Sequence, residues 1–257
     1  MFELIPTSFI FFVMAGVLVF TPHGIARGIL LLATPFAALF HIWLIGFGNF
    51  WPYEIFGFDL ELMRVDRLSR IFVVIFCLAS FLGNLFAWHL RDTTQQVAAL
   101  LYAGSAIGAA LSGDLISLFF YWEGTALASV FLIWARGTEG AYHTGMRYLI
   151  VQIGSGVILI AGVAVFYRET GIVSFDQMTL ASLGTWLIFI SFGIKCAFPL
   201  MHNWLQDSYP AATVTGAVIL SAFTTKMAIY ALARGFAGTE ILIYIGTIMT
   251  LFPIFFA

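Results

Sequence analysis

The spacing of its apolar runs constrains this chain more than any other feature. Stretches of about 20 mostly apolar residues, the length that crosses a hydrocarbon core as a helix, recur at roughly 4–21, 28–47, 68–88, 95–112, 115–135, 146–167, 182–200, 211–234 and 239–256. In lipid every backbone N–H and C=O has to be bonded inside the protein, so such runs become helices. The expected fold is all-α and polytopic, with about nine transmembrane helices. No soluble domain fits between the runs. The longest connection, about 48–67, carries Trp51, Glu54, Asp59, Glu61, Arg64, Asp66 and Arg67 and reads as an interfacial hairpin or short amphipathic segment.

Charged residues make up 9% of the chain against 61% hydrophobic, where a soluble domain carries about 25% charge. The net charge of −2 gives nucleic acid no basic face to bind. The first helix has Glu3 where a secretory signal would have Lys or Arg, and no small-residue cleavage site follows. It reads as a retained span. An outside N-terminus puts Arg27, Arg91, Arg136 and Arg147 in inner loops, with Arg168, Arg234 and the arginines before the third helix outside, a weak positive-inside bias. The expected location is a bacterial inner (plasma) membrane. The abrupt ending "LFPIFFA" suggests a short subunit or half of something longer.

Both lysines of the chain, Lys195 and Lys226, interrupt apolar runs. An ionisable group at bilayer depth costs at least about 2.5–3.5 kcal/mol and by default marks an ion or proton pathway. Pro199 lies four residues after Lys195, so the bond it cannot donate would have gone to the lysine's own carbonyl. The helix should break there, which membranes tolerate where the backbone is buried in protein or lines a wet cavity. The competing reading is a kinked helix whose lysine snorkels to the interface. Lys226 is deeper in its run, with Thr215 and Tyr230 on its face at helical spacing and Thr225 adjacent. Its competing reading is a structural pairing with a buried carboxylate.

Glu123, in "FFYWEGTALAS", has only apolar helical neighbours, among them Phe119, Phe120, Ala126 and Leu127. Beside Lys195 it would form a tunable proton site. Tyr148, Gln152 and Ser155 make a polar stripe on the sixth span, a water-lined wall or interhelical glue. His202, just past Pro199, is suited to proton relay. Of the other histidines only His41 lies within a span, without an evident partner, which disfavours a haem or quinone redox role. Cys77 and Cys196 lack metal-ligand spacing and read as core packing. No phosphate loop, nucleophile elbow or metal cluster appears, so no cofactor and no chemistry of the chain's own are expected.

Four stretches carry a resemblance: "MRVDRLSRIF", "LFFYWEGTALAS", "GIKCAFPLMHNWLQD" and "TTKMAIYALAR". In them the chain resembles the antiporter-like membrane subunits shared by respiratory complex I, an NADH-quinone oxidoreductase, and the Mrp-type multisubunit cation/proton antiporters. The resemblance implies a proton half-channel on a five-helix repeat of spans four to eight with a broken seventh helix. Residues 1–94 would hold the first three spans, 95–235 the repeat and 236–257 the last span. Glu123 would match the family's fifth-helix glutamate, Lys195 the lysine on the broken helix, Lys226 the eighth-helix lysine and His202 the histidine after the break. Implied partners are other membrane subunits, one supplying a second half-channel, with protons and sodium or another monovalent cation as cargo. Two departures stand out. The family's Trp-Leu-Pro-Asp-Ala-His reads Trp204-Leu205-Gln206-Asp207-Ser208-Tyr209 here, so the downstream histidine is missing, and the chain stops near the ninth span, without the second repeat. The alternative is a non-conducting scaffold subunit whose buried charges fix helix packing or partner docking.

Overall fold

The computed structural model describes residues 5–55 and 57–256, with side chains as far as Leu251; Glu3 lies outside the described residues. Among these it has ten helices: α1 (Thr7–Phe20), α2 (Ile25–Leu44), α3 (Arg67–Phe86), α4 (Thr93–Leu111), α5 (Leu115–Trp134), α6 (Glu139–Thr170), α7 (Leu183–Cys196), α8 (Asn203–Ala211), α9 (Val214–Gly235) and α10 (Ile241–Phe256). Five of them, α2, α3, α5, α6 and α9, are long and apolar enough to cross a membrane, and α1, α7 and α10 are shorter apolar helices. The chain is an integral membrane protein.

Polar caps fix where the helices start. Asp66 and Ser69 form a capping box on α3; Asp92, Asp114, Thr138 and Thr213 cap α4, α5, α6 and α9. Ser182 and Thr185 form a second box on α7. Each satisfies amides that would otherwise be orphaned at a helix end. The helix α4, rich in Ala, Gly and Ser, is buried on nearly every side, as befits a helix without a polar face. It packs against α1, α3, α5 and α9, and its glycines admit rings closely: a Cβ on Gly108 would lie 2.2 Å from the Tyr121 ring.

The connection at 48–67 forms an antiparallel hairpin of β1 (Gly48–Ile55) and β2 (Phe58–Val65), with Gly48 opposite Val65 and Ile55 opposite Phe58. This departs from an all-α chain and agrees with the hairpin reading. Its second strand is stapled to the α4–α5 link. Gly113 N donates to Glu61 O (2.9 Å), and Glu61 N donates to the Asp114 carboxylate (2.8 Å). Phe175 N reaches Gly113 O in turn (2.8 Å). Burial pushes the Asp114 carboxyl up, against the lowering effect of bonds from Ser117 and Glu61. At Asp66 burial also opposes ionisation, but the Ser69 amide and Arg234 outweigh it and hold the carboxyl below its usual range.

The elements differ from the runs in extent. The sixth is a 32-residue helix rather than 146–167, since Thr138 caps it early and Gly171 in the left-handed region ends it late. The seventh stops at Cys196 and resumes as α8.

Candidate functional site

The break after α7 is a capped helix end. Ala197 adopts the left-handed conformation (φ 63°), and Phe198 N donates to Gly193 O (2.9 Å), the reach-back that closes such an end. The Phe198 ring covers Gly193, where a Cβ would lie 2.5 Å away. Trp204 Nε1 on α8 donates to Ile194 O (2.9 Å), so one carbonyl freed by the break has an indole partner. Pro199 lies in the turn that follows, between Ala197 and Leu200, the latter also at positive φ.

Lys195 sits in the last turn before this break and is fully buried (0% exposed). Its ammonium does not snorkel. Nζ donates to Trp122 O and to Thr125 Oγ1 (2.9 Å), and it stands 4.5 Å from the Trp122 ring centroid. All three contacts belong to α5. The Trp122 indole is held by Ser155 of α6 (Nε1 to Oγ 2.9 Å), and Ser191 of α7 donates to Ser155 O (2.7 Å). Thus α5, α6 and α7 are tied together around one cation.

Glu123 is half-buried and is not in ion-pair contact with Lys195, though the two interact electrostatically. Its carboxyl lies on Gly156 of α6: a Cβ there would be 1.6 Å from Oε1 and 2.6 Å from Cδ. Oε1 is buried and accepts no hydrogen bond among the described residues. Only glycine leaves this notch open.

Gln152 is fully buried, with neither amide atom bonded among the described residues. One turn earlier Tyr148 shares a hydrogen bond with Ser129 (2.7 Å). Tyr148 also interacts with Tyr102, Tyr209 and Thr224. At α9 the Thr224 amide donates to Tyr102 Oη (2.8 Å), while Tyr102 and Tyr209 both donate to Leu220 O (3.3 and 3.1 Å). Hydroxyls from α4 and α8 therefore converge on one turn of α9, with Tyr148 of α6 within electrostatic reach. Each of these O–H groups can both donate and accept, the property a proton relay needs.

Lys226 lies one turn beyond, but not as the sequence suggests. It is exposed on this chain, and Nζ donates to Ser221 O of its own helix (2.7 Å). Thr215 and Tyr230 do not attend it: Thr215 donates to Gln95 Oε1 (3.2 Å), and Tyr230 donates to Ala110 O (2.5 Å) and accepts from Arg234 (2.6 Å). Spacing put the three on one helical face, but α4 covers only two of them. Cys196 follows Lys195 in sequence, and its thiol lies within electrostatic reach of Lys226. His202 precedes α8, half-buried, with both ring nitrogens shielded. His41 is partnered by Thr7 (3.0 Å), and no metal-binding cluster occurs among the described residues.

Tyr102, Tyr209, Thr224 and Gly156 escaped sequence reading. The only signal was the presence of tyrosines in apolar helices, which equally marks packing.

Residues 112–255 match the family described as NADH:quinone oxidoreductase/Mrp antiporter, transmembrane. Over 214 residues the chain is 28% identical to NADH-quinone oxidoreductase subunit M of Pseudomonas aeruginosa, covering 75% of this chain and 42% of that protein. Over 191 residues it is 24% identical to a subunit of the Na(+)/H(+) antiporter of Bacillus subtilis, covering 68% and 38%. The fold resembles a chain of respiratory complex I from Thermus thermophilus (TM-score 0.76, 19% identity, 93% of this chain and 55% of that one). It also resembles a chain of the Mrp complex from Dietzia sp. (TM-score 0.69, 23% identity, 94% and 47%). The chain spans less than half the length of these two curated relatives.

Proposed function

The chain belongs to the NADH:quinone oxidoreductase/Mrp antiporter transmembrane family, and from that premise we propose that it forms a proton-translocating part of a multisubunit membrane complex. Protons load at Lys195, whose charge balance is set by Glu123 in the Gly156 notch. They pass along the hydroxyls of Tyr148, Thr224, Tyr102 and Tyr209 to the turn of α9 whose Ser221 carbonyl holds Lys226. Gln152 and Pro199 support the path, and His202 relays at the break. Lys226 then faces a neighbouring chain that supplies the second half-channel, with sodium or another monovalent cation as a candidate counter-cargo. The five-helix half-channel repeat corresponds to residues 95–235.

The observation that carries this reading is a fully buried ammonium at the end of a broken helix, bonded among the described residues to a carbonyl and a hydroxyl but to no carboxylate. A buried charge without a paired counter-ion is costly, and a readily exchanged proton explains why it is kept. The scaffold reading draws on the same bonds, because they tie α7 to α5.

The test compares Lys195→Ala and Glu123→Gln in the assembled complex, reconstituted in proteoliposomes and followed by ΔpH. The expected result is transport lost or lowered at least tenfold with assembly intact. Full transport in both variants rejects the reading. Lost assembly in Lys195→Ala with normal transport in Glu123→Gln favours the scaffold.

A further inference from the structure

At the end of the bundle where α1 leads into α2 and α3 into α4, a polar pocket of about 190 Å³ is lined by His23, Gly24, Arg27, Trp88, Arg91 and Gln96, among others. Arg27 is 3% exposed. Two of its donors are satisfied: Nε by Gln96 Oε1 (2.6 Å) and one terminal nitrogen by Thr21 O (2.7 Å). The other terminal nitrogen is buried and bonded to nothing among the described residues. Both acceptors are neutral, and among the described residues no carboxylate pairs with Arg27. Asp92, next to Arg91 in sequence, is turned onto its own helix, where it takes the amides of Thr94 and Gln95 and the Gln95 side chain.

Three further features concern the same pocket. Helix α2 begins beside it at Gly24, with no side chain capping its first amides, so the positive end of a 20-residue helix adjoins it. Arg91 brings a second, exposed cation. Trp88 lies over Gly28, where a Cβ would meet its ring at 2.5 Å; tryptophan is the residue that prefers the headgroup level of a membrane.

We propose that this pocket binds the phosphate of a phospholipid headgroup, with Arg27 and the α2 amides as buried donors and Arg91 as the outer clamp. An arginine fork with a spare donor suits a phosphate oxygen, and basic pockets between membrane helices take lipid headgroups. A lipid is favoured over a free anion because an apolar groove of about 510 Å³ starts from the same turn. It is lined by Thr93 and Thr94 and then by Val19, Val97, Leu101 and Phe131, and His23 of the pocket is joined to Thr93 (3.3 Å). Phosphate and one acyl chain would lie on either side of that contact.

The complex is purified in mild detergent, stripped of lipid and titrated with dioleoyl phosphatidylglycerol, with dioleoylglycerol (the same chains without phosphate) and with inorganic phosphate. Binding is read by native mass spectrometry and by the melting temperature. Phosphatidylglycerol should bind and raise the melting temperature; dioleoylglycerol and millimolar phosphate should not. Arg27→Gln should weaken phosphatidylglycerol binding by roughly tenfold, the worth of one charge-assisted contact, and Arg91→Gln by a smaller factor. Arg168→Gln, at an exposed position on α6, should change nothing. Should Arg27→Gln fail to fold, Arg91→Gln decides. Unchanged binding in both arginine variants, equal binding of dioleoylglycerol, or displacement of the lipid by inorganic phosphate each overturns the proposal.

Discussion

At the scale of single residues, the chemistry turns on a glycine as much as on charges. The Glu123 carboxyl occupies space that any side chain at 156 would take, the would-be Cβ lying 1.6 Å from Oε1. Because Glu123 is half-buried, it has somewhere to go. Gly156→Ala should therefore evict the carboxylate rather than unfold the bundle. We expect it to lower proton transport in proteoliposomes as Glu123→Gln does, while stability falls by no more than ~1 kcal/mol, a modest overpacking cost. If Gly156→Ala pumps normally, the carboxylate's place in the notch is irrelevant to transport. Nothing in the sequence pointed to this glycine, for a small residue inside a membrane helix usually marks close packing alone. Lys195 was legible because a lysine in an apolar run is costly, although snorkelling to the interface competed as its explanation. Its partners were not, since a backbone carbonyl and a tryptophan face have no sequence signature.

At the scale of elements, the break in the seventh span was legible in Pro199, but the structure assigns the work differently. The helix has already ended at Cys196, with Ala197 left-handed, before the proline is reached. A non-glycine residue in that conformation costs roughly 1 kcal/mol or more, and glycine is the usual occupant. Ala197→Gly should accordingly raise the melting temperature in detergent, by a stabilisation of about 1 kcal/mol, while leaving transport intact; a drop would show that the turn relaxes in the assembled protein. The hairpin yields a second expectation. Unfolded, Asp66 returns to its ordinary value of about 3.9, whereas folded it lies lower because the Ser69 amide and Arg234 (2.6 Å) favour its ionised form over the opposing effect of burial. The ionised pair thus stabilises the fold above that ordinary value, and its contribution is lost as pH falls toward the lower folded one. Asp66 is partly exposed, so the gain is small, at most ~1 kcal/mol. Melting curves of wild type and Arg234→Gln should differ at neutral pH and draw together below about pH 4.

At the scale of the whole molecule, the sequence misjudged Lys226, and the reason is general. Helical periodicity says which residues share a face, but not whether that face meets another part of the chain. Here α4 covers Thr215 and Tyr230, while Lys226 and Ile229 remain on the outside of α9. An ammonium left facing hydrocarbon is expensive, and bonding Nζ to Ser221 O only turns it along its own helix. A proton route that reaches Lys226 therefore calls for a polar surface from another polypeptide segment against this face of α9. Lys226→Cys tests this directly. In the purified complex the thiol should resist a membrane-permeant maleimide, and it should react once the subunits are separated in detergent. A cysteine at Arg168, which is exposed on α6, should label in both states. Equal reactivity at position 226 before and after separation would mean that lipid, not protein, covers the lysine, and the path beyond Thr224 would have no continuation at Lys226.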